Sequence, residues 1–152
     1  MKQNIPIWKK YRLFENANLF KPYVDCDTGL VCQVTQHQHF IHLCGYITIP
    51  GHLFVKIRNE IEDSVPIHGG WTYIGTEEYF GRIGFHCAHD GDWHSHVVGT
   101  KTRYGITLQD ATPEDYKDHD FVTSELKRAC KDIASMLSAH ERLELLRKAK
   151  SI

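Results

Sequence analysis

The chain has no C-x-x-C pair, no long apolar run, no signal-peptide pattern, no internal repeat and no low-complexity linker. Each absence removes a class of protein. Without cysteines at knuckle spacing, a structural zinc module is not expected. Five cysteines, at positions 26, 32, 44, 87 and 130, are odd in number and irregularly spaced, which argues against a disulfide framework. Without about 18 consecutive apolar residues there is no candidate spanning helix, so no membrane partner is expected and the expected setting is cytoplasmic. An excess of one charge is also lacking. With 18 basic and 19 acidic residues, there is no electrostatic case for duplex nucleic acid. The one local bias, Lys2, Lys9, Lys10 and Arg12, reads as a solvated edge.

What remains is an ordinary globule with one unusual residue type. At 152 residues, 41% hydrophobic and 24% charged, the chain fits a single domain spanning 1–152, large enough to bury a core without staples. Histidine is the outlier, with eleven copies. Five of them, with Cys87, Asp90, Asp92, Trp71 and Trp93, fall between His68 and His96. These residue types make poor filler and useful chemistry.

The segments around this stretch read as an α+β scaffold. Residues 1–22 show no clean period. After the turn signal Asp27-Thr28-Gly29, residues 30–34 and 40–49 are rich in β-branched and aromatic residues and predict a hairpin connected through 36–39. Leu53, Phe54, Ile57 and Ile61 recur at helical spacing and predict a short amphipathic helix closed by Asp63-Ser64. Residues 71–74 and 79–85 predict two more strands joined by a turn at 75–78, with Gly81 and Gly84 marking a bulge or a close approach of backbone or ligand. Residues 100–104 read as a loop or edge strand. Thr112-Pro113 carries a helix-start signal. Val122, Leu126, Ala129, Ile133 and Leu137 form the clearest helical stripe, and Ser138-x-x-Glu141 reads as a capping box opening a last helix. The expected architecture is a small, mainly antiparallel sheet with a long C-terminal helix packed on one face.

The chemistry-bearing residues fall into two groups. In His68-Gly69-Gly70, the glycines permit a tight turn whose amides could hold an anion. Thr72 and Tyr73 follow on opposite faces of a strand, with Trp71 as a further aromatic. In Cys87-Ala88-His89, thiol and imidazole share a side of an extended backbone, and Asp90-Gly91-Asp92 returns a carboxylate toward them. Two opposed imidazoles, His68 and His89, suit acid/base cleavage of a phosphodiester. Asp92 would orient an imidazole, and Thr72, Gly69, Gly70 and Gly91 would hold phosphate oxygens. Cys87 also reads as a small buried hydrophobe. A metal held by His86, His89, Asp92, His94 and His96 is the competing reading. It is disfavoured because the spacing fits no standard pattern, so no cofactor is expected.

The run His68-Gly69-Gly70-Trp71-Thr72-Tyr73, followed by Gly84-Phe85-His86-Cys87-Ala88-His89-Asp90-Gly91-Asp92, resembles a family of small bacteriophage and prophage proteins. Their paired pattern is HGGxTY and GFDCAHxGD. Tyr46 to His52 is similar to that family's upstream strand, and the helix Phe121 to Leu137 to its C-terminal segment. His86 stands where the pattern has an acid, and Trp93 to His96 lie outside it. The resemblance implies the cytoplasm of an infected bacterium as the setting. A polar, His- and Gly-rich site there suits disarming host defence by acting on a nucleotide second messenger. The leading expectation is metal-independent phosphodiester cleavage of a cyclic (di)nucleotide, with Trp71 or Tyr73 stacking on a base. The alternatives are a non-catalytic sponge for cyclic nucleotides or cyclic ADP-ribose relatives, expected as a homo-oligomer, and an inhibitor of a host defence protein.

Overall fold

The computed structural model describes residues 17–37, 41–77, 79–88, 92 and 116–150. A 3-10 turn, Ala17–Phe20, leads into β1 (Tyr23–Val24), β2 (Val31–Gln36) and β3 (Leu43–Pro50). Then come α1 (Gly51–Ser64), β4 (Tyr73–Thr76), β5 (Phe80–His86), α2 (His119–Ser135) and α3 (Ala139–Lys150). The strands form one sheet in the order β1-β2-β3-β5-β4, with every neighbouring pair antiparallel. The architecture is α+β, as the sequence predicts.

Period-two alternation decides which face is buried. In β2, Cys32, Val34 and Gln36 are buried and their neighbours half-buried; in β3, Leu43, Gly45, Ile47 and Ile49 are buried and Cys44, Tyr46 and Thr48 are not. The register places Gly45 opposite Val34 and Phe85, and Ile47 opposite Cys32 and Ile83. The buried positions therefore line one face. The helices supply the other half of this core: Leu53, Phe54, Ile57 and Ile61 from α1, Val122, Leu126, Ala129, Cys130 and Ile133 from α2, and Leu145 from α3. Each fully buried aliphatic side chain contributes about 1.5–3 kcal/mol.

Local signals set the helix ends. Pro50 precedes α1 directly, and Val65 leaves it in an extended conformation, as a residue before proline must. Asp118 caps α2 by accepting from the Phe121 N–H at 2.9 Å. The helix-start signal at Thr112-Pro113 lies outside the described residues, as do residues 1–16 and 100–104. The capping box at the start of α3 forms in both directions: Ser138 N–H donates to Glu141 Oε1 at 2.9 Å, and Glu141 N–H donates to Ser138 Oγ at 3.1 Å.

Three details differ from the sequence reading. β2 runs on to Gln36 and β3 starts at Leu43, where the sequence predicts a connection at 36–39 and a strand from 40. Gly75 and Thr76, expected in a turn, belong to β4, and the turn closes through Glu77 N–H donating to the Phe80 carbonyl at 2.8 Å. Gly81 sits in regular pairing, opposite Ile49 and Thr76, rather than in a bulge. A Cβ there would lie 2.0 Å from the Phe54 ring, so the glycine lets an aromatic side chain from α1 press directly onto the sheet.

No described helix is long and apolar enough to cross a membrane. Cys32 and Cys130, 98 positions apart, bring their sulfurs within 3.4 Å in the core between β2 and α2.

Candidate functional site

The His68 turn is built as its glycines require. Gly69 and Gly70 have φ of 69° and 86°, a left-handed region closed to most residues. The Gly70 N–H donates to the Ile67 carbonyl at 3.0 Å. That amide is engaged in closing the turn. Trp71 is likewise engaged: its indole N–H donates to the Val65 carbonyl at 3.0 Å, and its ring meets Phe85 edge-on at 6.4 Å. It packs against the core rather than standing ready to stack on a base.

This turn brings His68 to Asp92, 24 residues away. His68 Nε2 and Asp92 Oδ2 are 2.6 Å apart, with the histidine side chain 22% exposed and the aspartate 2%. Lys117 Nζ stands 3.9 Å from the other carboxylate oxygen. The imidazole sits edge-on against Phe121 at the start of α2, and the lysine lies over the same ring. A buried carboxylate bonded to a partly exposed imidazole fixes the orientation of the ring.

Thr72 and Tyr73 go elsewhere. Thr72 N–H donates to the Gly84 carbonyl at 2.9 Å, continuing the β4–β5 ladder by one residue. Both residues line a cavity of about 580 Å³ on the sheet face that carries the half-buried side chains, together with His37, His42, His86 and Tyr46. Cys44 also lines it. The His37 and His42 rings stack at 5.0 Å, and His42 meets His86 edge-on at 5.9 Å. Ala88 N–H donates to His86 Nδ1 at 3.2 Å, so the neutral ring carries its proton on Nε2.

The position of His42 depends on an unusual neighbour. Ile41 has φ of 55°, a costly conformation for a β-branched residue. Its carbonyl accepts from Tyr116 Oη at 2.9 Å and from Gln36 Nε2 at 2.8 Å, and Gln36 Nε2 also donates to Tyr116 Oη at 3.2 Å. This buried network holds the strained residue in place.

Cys87 is 1% exposed, and burial, followed by the charge of Asp92, pushes its thiol well above the ordinary cysteine range. It is a small core residue in its neutral form, and its N–H donates to the Leu43 carbonyl. Burial also raises the Cys44 thiol and the Tyr46 hydroxyl. Neither the Cys87 nor the Cys44 thiol is therefore an activated nucleophile. His89 and Gly91, expected as catalytic and ligand-binding, lie outside the described residues, as do His94 and His96 from the metal reading. Among the described residues, no group of three or more potential ligands is placed to hold a metal ion.

The sequence reading thus divides between two places at one end of the sheet. His68 and Asp92 meet beside α2, while Thr72 and Tyr73 enter the cavity on the other face. Missed were His37, His42, Tyr46 and Lys117. The first three lie on the β2–β3 hairpin, whose alternation could have placed Tyr46; Lys117 carries no local signal. The chain matches no family model, no curated protein and no solved structure.

Proposed function

We propose that this protein acts on a small nucleotide, cleaving a phosphodiester by imidazole acid/base chemistry. The observation that carries this reading is the His68–Asp92 pair at 2.6 Å, with its carboxylate 2% exposed. His68 takes the proton of the attacking hydroxyl or water as the new P–O bond forms. A second imidazole, His89, protonates the leaving oxygen as the old P–O bond breaks. Asp92 orients His68 and offsets the positive charge that develops on the imidazole as it takes the proton. In the setting implied by the resemblance to phage proteins, the substrate is a cyclic (di)nucleotide that signals infection.

One observation favours a second reading, sequestration without cleavage. The cavity's described lining contains Thr72 and Tyr73 but neither His68 nor Asp92. A pocket separate from the dyad would retain a nucleotide intact.

The two readings part in one assay. The protein is incubated with a panel of cyclic mono- and dinucleotides and heat-denatured, and the released material is separated by chromatography. Linear products in the wild type, reduced at least about 100-fold by His68→Ala or Asp92→Asn with binding kept, support cleavage. Intact ligand recovered from wild type and both variants supports sequestration. Neither binding nor turnover across the panel contradicts both.

A further inference from the structure

The face of the sheet that no described α-helix covers is paved in an unusual way. Period-two alternation and the register put Tyr46, Arg82, Gly84, His86, Tyr73 and Gly75 on that face. Gly84 lies opposite both tyrosines. A Cβ at Gly84 would lie 2.4 Å from the Tyr46 ring, and one at Gly75 would lie 2.5 Å from the Tyr73 hydroxyl. Each tyrosine therefore uses a glycine to reach the sheet: the Tyr46 ring packs against Gly84, and the tip of Tyr73 reaches Gly75. Their rings meet edge-on at 5.7 Å. The Arg82 guanidinium then stacks over Tyr46, 4.1 Å from its centroid.

Arg82 is tethered but not neutralised. Its Nη2 donates to Gln33 Oε1 at 2.9 Å, and Gln33 Nε2 donates in turn to the Phe20 carbonyl at 3.1 Å. Among the described residues, no carboxylate pairs with Arg82 and its Nε has no hydrogen-bond partner. A guanidinium carries five N–H donors in a planar fork suited to phosphate, so most of that capacity is unspent. Both tyrosines also line the 580 Å³ cavity, beside the imidazoles of His37, His42 and His86. Stacking surfaces beside a fixed cation are how sheets hold planar bases joined to phosphates.

We propose that this face is a nucleoside phosphate site, with Tyr73 stacking on the base and Arg82 binding the phosphate. This deepens the nucleotide reading above and rests on it for the ligand class, but it does not depend on cleavage. A larger hollow, about 760 Å³, opens between the 25–28 turn and the last two helices. It offers no comparable platform: Lys127 and Arg128 there already face Asp27, Glu125 and Asp132.

The test is equilibrium binding of cyclic di-AMP, 3′,5′-cyclic AMP and adenosine to wild type, Arg82→Gln, Tyr73→Leu and Tyr73→Phe, each checked for a native melting curve. Arg82→Gln should weaken the two phosphate-bearing probes by about tenfold or more and leave adenosine unchanged. Tyr73→Leu should weaken all three by about fivefold or more, and Tyr73→Phe should restore them. Wild-type binding that both Arg82→Gln and Tyr73→Leu leave intact would overturn the site while sparing the nucleotide reading. No wild-type binding at all would overturn both. More than tenfold tighter binding of a single-stranded oligonucleotide would replace the proposed ligand with a nucleic-acid strand.

Discussion

The two faces of the sheet use the same device for opposite ends. On the covered face, Gly81 admits the Phe54 ring and Gly45 admits Phe85, with Val122 of α2 alongside. On the other face, Gly84 admits Tyr46 and Gly75 admits Tyr73. In both cases a missing Cβ lets an aromatic side chain come into direct contact with the sheet. Where helices close over it, the result is a dry core; Phe54 and Phe85 are 0% and 1% exposed. On the side facing the cavity the ring stays accessible, and Tyr73 is 46% exposed. The difference lies in the aromatic chosen and in what packs above it. Phenylalanine has no polar atom to satisfy, whereas a tyrosine hydroxyl needs a partner or water.

The sharpest way to break this comparison is to fill one glycine on each face. Gly81→Ala drives a methyl into a fully enclosed ring that has nowhere to go, so it should cost about 2–3 kcal/mol in a urea or thermal unfolding measurement. A cost within experimental error would mean that Phe54 is not held as described. Gly75→Ala meets only the far end of Tyr73, which can swing outward. Its stability should change by less than about 0.5 kcal/mol, while nucleotide affinity falls because the ring is displaced. Loss of folding in this variant would show that the open-face glycines also serve stability.

The smallest effect tests the edge of the covered layer. The hydrogen bond from Lys56 Nζ at 2.8 Å, followed by the Ser138 N–H, lowers the Glu141 carboxyl from 4.5 to about 2. A depressed carboxylate contributes stability above its unfolded value and loses it as pH falls. The contribution of Glu141 should therefore be complete above about pH 4.5 and vanish toward pH 2. NMR titration of its side chain should show the low midpoint, and Lys56→Met should move it back toward 4.5. An unchanged midpoint would remove the lysine as the cause.

The covered face was largely legible in the sequence, because burial imposes a period. The α2 stripe of Val122, Leu126, Ala129 and Ile133 is fully buried, and the Ser138–Glu141 box closes as its spacing predicts. The site was legible only in part. The His68 turn was legible in its two glycines, but its contact with Asp92 was not, because the sequence set that carboxylate beside an imidazole without fixing which one. Arg82 was passed over because a single arginine in a strand has no motif, although Phe80 to His86 alternates and sets Arg82, Gly84 and His86 on one side. Gly75 was read as a turn because its strand role depends on a tyrosine tip reaching it, a contact that composition cannot reveal. Nothing local links Cys32 to Cys130, or Tyr116 to the strained Ile41.

The central claim is that the face carrying Tyr46, Tyr73 and Arg82 is the ligand face, and it can be read directly from two-dimensional NMR of the labelled protein titrated with cyclic di-AMP. The account predicts saturable shifts at Tyr46, Tyr73, Arg82 and His86, with the core positions Ile47, Ile83 and Leu126 unmoved. Shifts confined to His68, Lys117 and Phe121, or no saturable shift anywhere, would contradict it.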